Sequence, residues 1–79
     1  MREFNQEEIQ NFHQKIAQNV AKIRKEKGIS QLELSLDIGL KSCLLVAGAE
    51  ANYKNTHFNL KHLYKIAKVL NVDIVEFFK

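Results

Sequence analysis

The chain has 79 residues, a net charge of +3, a pI near 9.1 and one cysteine, Cys43. That length suits one domain with a modest core, burying about 60% of its unfolded surface, and a lone cysteine excludes an internal disulfide. The longest apolar run, Leu44 to Ala49, falls far short of the ~20 residues of a membrane span.

Arg2, Glu3, Glu7 and Glu8 precede any apolar stretch, which does not read as a secretory signal, so a reducing cytoplasm is the expected location. The mild basic excess suits a polyanionic partner. It is concentrated at Lys22, Arg24, Lys25 and Lys27 and again at Lys61, Lys65 and Lys68.

The first helix has a marked start. Asn5 is placed to cap it, Glu8 to close a capping box, and Phe4 with Ile9 to form a hydrophobic staple. Ile9, Phe12, Ile16, Val20 and Ile23 recur at helical spacing and read as core, or as a surface for a second subunit. His13 falls on the solvent side. Residues 1–15 thus extend the first helix beyond the rest of the domain, and Gly28 ends it.

Ser30-Gln31-Leu32-Glu33 is a second capping box, opening a short helix with Leu34 and Ile38 inward and Gly39 at its end. Leu40-Lys41-Ser42 reads as a turn. Ser42 then caps a third helix from Cys43 to Glu50. Ala51 to Phe58 is a polar loop. Asn59 caps a fourth helix with Leu60, Leu63, Ile66, Ala67 and Leu70 on one face, and Asn71 ends it. Asp73 and Glu76 suggest a third box for a last helix, in which Phe77 closes the core and Phe78 is free for a twofold contact. Five helices and no alternating strand pattern predict an all-α bundle in a single domain.

Two short helices around a glycine turn make a helix-turn-helix, here residues 30–50. In such a unit the second helix enters the major groove, and the first offers its N-terminus to a phosphate. From about Ile16 to Phe78 the chain resembles the phage-repressor-like (Cro/repressor, XRE-type) DNA-binding domains, whose fold is lambda-repressor-like. The likeness rests on Ile23-Arg24-Lys25-Glu26-Lys27-Gly28-Ile29-Ser30-Gln31, Glu33-Leu34, Gly39, Glu50, Leu63 to Asp73, and Phe77.

The resemblance implies a role for several residues. Gln31 would hydrogen-bond a DNA phosphate and prop the reading helix. Arg24 and Glu50 would form a structural ion pair. Asn52, Lys54, Asn55 and Thr56 would lie in a loop that touches phosphate. The function it implies is a repressor-like transcriptional regulator that binds double-stranded DNA as a homodimer.

The chain also departs from that family. The span from Gly39 to Glu50 is one residue longer than usual, which puts the extra residue near Lys41. Cys43, Leu44, Ala47 and Gly48 take the outward positions of the reading helix, with Leu45, Val46 and Ala49 inward. Base edges are read by hydrogen-bonding groups, and these four side chains offer at most contact with a thymine methyl.

Three readings of this segment follow. DNA contacts come from Lys41, Ser42 and the loop, with specificity read through DNA shape. Alternatively the apolar helix 43–50 meets a protein partner, giving an interaction module that has lost base reading. Or the segment forms no helix at all. No nucleophile–base pair, phosphate-binding glycine loop, paired carboxylates or metal-ligand spacing is visible, so neither catalysis nor a cofactor or metal is expected.

Overall fold

The computed structural model describes residues 3–79. Asn5 starts α1 (Gln6–Glu26), its Oδ1 accepting the Glu7 amide at 2.7 Å. The expected return bond from Glu8 is not made, so this is a simple cap and not a box. Down the helix, Ile16, Ala17 and Val20 face the core. Ile9 and Phe12, read with the same stripe as core or as a surface for a second subunit, are not core. They are 41% and 52% exposed, because this half of the helix reaches past most of the elements that cover the rest.

The chain leaves α1 through Gly28, whose φ is +70°. The amide of Ile29 bonds back to the Arg24 carbonyl and that of Gly28 to the Lys25 carbonyl, each at 3.0 Å. This paired pattern meets the otherwise orphaned carbonyls of the last turn and needs a left-handed residue, which glycine supplies without strain. Gly39 ends α2 (Gln31–Asp37) in the same way, with Leu40 bonding to the Ser35 carbonyl at 2.9 Å. At the start of α2 the Ser30 hydroxyl accepts the Glu33 amide at 3.0 Å, and the Glu33 carboxylate accepts the Ser30 amide at 3.1 Å.

The segment after the turn does form a helix, α3 (Leu44–Glu50), but one residue later than expected. Cys43, not Ser42, holds the cap position, and its side chain makes no capping bond. The Ser42 hydroxyl accepts the Leu44 amide only at a long 3.4 Å.

Behind α3 the polar segment forms a 3-10 turn, Tyr53–Asn55; Lys54 and Asn55 within it and Asn52 just ahead of it all have positive φ. Asparagine tolerates that conformation; Lys54 does so at some cost. Asn59 and His62 then form a reciprocal capping box at the start of α4 (Leu60–Leu70). Asn71, with φ 56°, ends it.

The predicted fifth helix is instead a 3-10 turn, Ile74–Phe78. Its expected box is absent because the Glu76 carboxylate turns to Lys79 Nζ at 2.7 Å, leaving Asp73 to accept the Val75 amide alone. Asn19 of α1 donates to the Phe77 and Lys79 carbonyls at 2.9 and 3.0 Å, tying the C-terminal turn to the first helix.

Four α-helices and two 3-10 turns thus make an all-α structure, with no strand among the described residues. They enclose one core, built on Val20, Leu34, Val46, Ile66, Leu70 and Phe77. Phe77 is fully buried. Phe78, expected to be free, is half-buried and stacks on Phe12 with ring centroids 6.3 Å apart. No described helix is long and apolar enough to cross a membrane.

Candidate nucleic-acid interface

A helix of seven residues is too short to hold itself in water, so α3 depends on its attachments. Its inner face is fixed by Val46 and Ala49, both buried, with Leu45 partly covered. Its C-terminal end is fixed by Glu50. Arg24 reaches that carboxylate from α1 with two parallel bonds, Nε to Oε2 at 2.8 Å and Nη2 to Oε1 at 2.9 Å. Gln31, the first residue of α2, donates its amide to Oε1 at 2.9 Å. The remaining Arg24 nitrogen, Nη1, donates to the Ile29 carbonyl at 2.7 Å.

One carboxylate thus collects α1, α2 and α3. The Arg24 and Glu50 side chains are only 7% and 9% exposed. Burial by itself would raise the Glu50 carboxyl, but the hydrogen bonds from Arg24 and Gln31 and the charges of Arg24 and Lys25 outweigh it and hold it below its ordinary value.

Gly48, expected on the outward face, is half-buried. A Cβ there would lie 3.1 Å from Thr56 Cγ2 and 3.3 Å from Thr56 Cβ and Oγ1. The missing side chain therefore lets the loop fold back onto α3. It also makes Thr56 a half-buried packing residue of that loop.

The other predicted contact residues flank this unit. Lys41 and Ser42 are exposed in the turn ahead of α3, and Asn52, Lys54 and Asn55 are exposed behind it. On α3 itself Leu44 is 78% exposed, while Cys43 and Ala47 are half-buried. Gln31 is half-buried, with part of its amide committed to Glu50. Lys54 lies over the Tyr53 ring, 5.4 Å from its centroid.

No protein-family model and no curated protein sequence matches the chain significantly. The geometry therefore stands on its own. It is a seven-residue helix clamped at its far end, with a lysine and a serine in the turn ahead of it and a lysine and two asparagines in the loop behind. Among the described residues no group of three or more histidine, cysteine, aspartate or glutamate side chains is placed to hold a metal ion.

Two features carry no signal in the sequence. His13, assigned to the solvent side, is half-buried, and its ring stacks on His57 with centroids 3.9 Å apart. Burial, and then the charge of His57, lowers its pKa. The His57 Nδ1 lies 2.9 Å from the Asn55 carbonyl oxygen. This stack joins the polar loop to α1, and 44 residues of sequence separate its two halves. The second feature is the bond from Gln31 to Glu50, since nothing local pairs those two positions.

Proposed function

We propose that this chain is a cytoplasmic, sequence-specific DNA-binding regulator of the phage-repressor-like helix-turn-helix class, acting on duplex DNA as a homodimer with no cofactor and no catalysis. The observation that carries this reading is the clamp of Arg24, Gln31 and Glu50. It fixes α3 relative to α2 through a buried, fully bonded carboxylate, and a rigid angle between two short helices is what groove entry requires. The exposed cations beside it supply the sequence-independent attraction to phosphate.

Within this reading the N-terminal turn of α2, with Gln31, meets the backbone. Lys41, Ser42, Lys54 and Asn55 hold phosphates on either side of α3, with Asn52 and Thr56 in the same loop. Cys43, Leu44 and Ala47 contribute apolar contact, to a thymine methyl where one is present. With so few hydrogen-bonding groups on the helix, sequence preference comes largely from DNA shape and deformability.

Selection from random duplex DNA at near-physiological salt tests this. The expected result is a defined, twofold-symmetric site. Weak, salt-abolished binding without sequence preference would overturn it. The exposure of Leu44 favours one second reading, in which the same scaffold presents α3 to a protein. Under that reading no site is recovered and Leu44→Glu leaves the residual DNA affinity unchanged.

A further inference from the structure

The first half of α1 carries an apolar surface that the fold does not use. Phe12 and Ile9 are half-exposed there, and Phe4, just ahead of the helix, is 77% exposed. Across a groove from Phe12 stands Leu60, 74% exposed at the start of α4, with Phe78 and Phe58 at the bottom. Taking about 200 Å² for a fully exposed large apolar side chain, Phe4, Ile9, Phe12 and Leu60 together offer roughly 490 Å². A standard interface buries about 800 Å² per partner, and about 65% of a homodimer interface is apolar. The patch is therefore of the size one side of a small homodimer needs.

The charges beside it say which partner fits. Glu8 lies four residues before Phe12 and Lys15 three residues after it. Those spacings put both on one flank of the Phe12 ridge, acid toward the helix start and base toward its middle. Both are exposed, and neither is in an ion pair among the described residues. A second copy of α1, laid antiparallel with the twofold axis at Phe12, brings Glu8 of each chain to Lys15 of the other. Such an isologous contact satisfies both charges twice, whereas a parallel twofold would carry the two charged flanks to opposite sides of the interface and leave them unpaired.

We infer that two copies of this chain associate through the Ile9–Phe12–Leu60 face, with the N-terminal halves of α1 antiparallel and Glu8 paired to the other copy's Lys15. This deepens the homodimer of the reading above by naming its surface. Association is measured without DNA, so its failure is separate from a failure of site selection.

Sedimentation equilibrium on the full chain tests it. Near 100 µM the expected mass is about 18 kDa, twice the 9.2 kDa of one chain. Phe12→Glu is expected to raise the dissociation constant about 30-fold or more, as loss of a central aromatic anchor does, with helical circular dichroism retained. Glu8→Lys and Lys15→Glu each weaken association by about tenfold, and the double reversal restores it. A folded wild-type monomer at that concentration would overturn the inference and leave the face to another partner. So would a dimer indifferent to Phe12→Glu, or one in which the double reversal is no better than the single changes.

Discussion

A carboxylate nearly out of water is tolerated only where donors replace the water it has lost. Glu50 meets that condition with three donated bonds, two from Arg24 and one from Gln31. The consequence is asymmetric. Arg24→Met leaves the buried charge with one of its three bonds and is expected to cost about 3–5 kcal/mol in urea unfolding. Arg24→Met combined with Glu50→Leu removes the charge as well and is expected to recover most of that loss. A double variant no better than the single would show that the pair is not the source of the cost. The pH dependence follows from the same geometry. Because the folded carboxyl is held below its ordinary value, its stabilisation is complete above the unfolded glutamate pKa of about 4.3 and drains away as pH falls through the folded value. Glu50→Gln is expected to be less stable at neutral pH and to lose less stability on acidification. Parallel acid limbs in the two proteins would contradict this.

Among the elements, what was legible depended on whether the deciding partner lay close in sequence. The Ser30–Glu33 box and the glycine exits at Gly28 and Gly39 are decided within about one turn, and they form. Asn5–Glu8 and Asp73–Glu76 have the same spacing but not the same outcome. Asn5 meets the Glu7 amide, and Glu76 is drawn off by Lys79. In α1 the apolar period gives the face that points inward, but not where the covering elements end, so it does not separate core from an uncovered surface at Ile9 and Phe12. At the site, Arg24 and Glu50 could be paired only through the family resemblance. The stack of His13 on His57, and Thr56 over Gly48, arise from tertiary folding alone. That stack makes the loop's attachment to α1 sensitive to acid. The His13 pKa is lowered in the fold, so the unfolded chain takes up the proton first. Stability is then full above the unfolded value of about 6.5 and falls as pH drops below it. Thermal unfolding between pH 7.5 and 5.5 is expected to show this slope, and His13→Phe, which keeps a ring in place without a charge, is expected to make it shallower, leaving the share of His62, whose pKa burial also lowers. An unchanged slope in that variant would remove the stack from the account.

At the scale of the whole molecule, a charge of +3 is modest for the DNA-binding role proposed above, and Arg24 is already consumed by Glu50. Under that proposal, affinity for a polyanion comes from a few exposed cations in the right place, and Lys41 and Lys54 are the two that flank α3. Each phosphate neutralised by a lysine releases counterions and contributes about 0.9 to the slope of log affinity against log salt. Lys41→Ala is therefore expected to lower that slope by about 0.9 for each chain bound, or about 1.8 for a dimer on a twofold site, with a similar loss of affinity on every sequence. Lys41 and Lys54 changed together are expected to lower it by twice that amount. The turn at Lys41 is also one residue longer than the family resemblance predicts, and the helix behind it begins at Leu44 with no side-chain cap on Cys43. The extra residue carries a cation where the exposed side of α3 offers no hydrogen-bonding side chain, Glu50 being taken up by Arg24 and Gln31. If the slope is unchanged in Lys41→Ala, the turn lies outside the footprint. The electrostatic share of binding would then rest on Lys54 and the α2 N-terminus, which would move the bound DNA toward the loop side of α3.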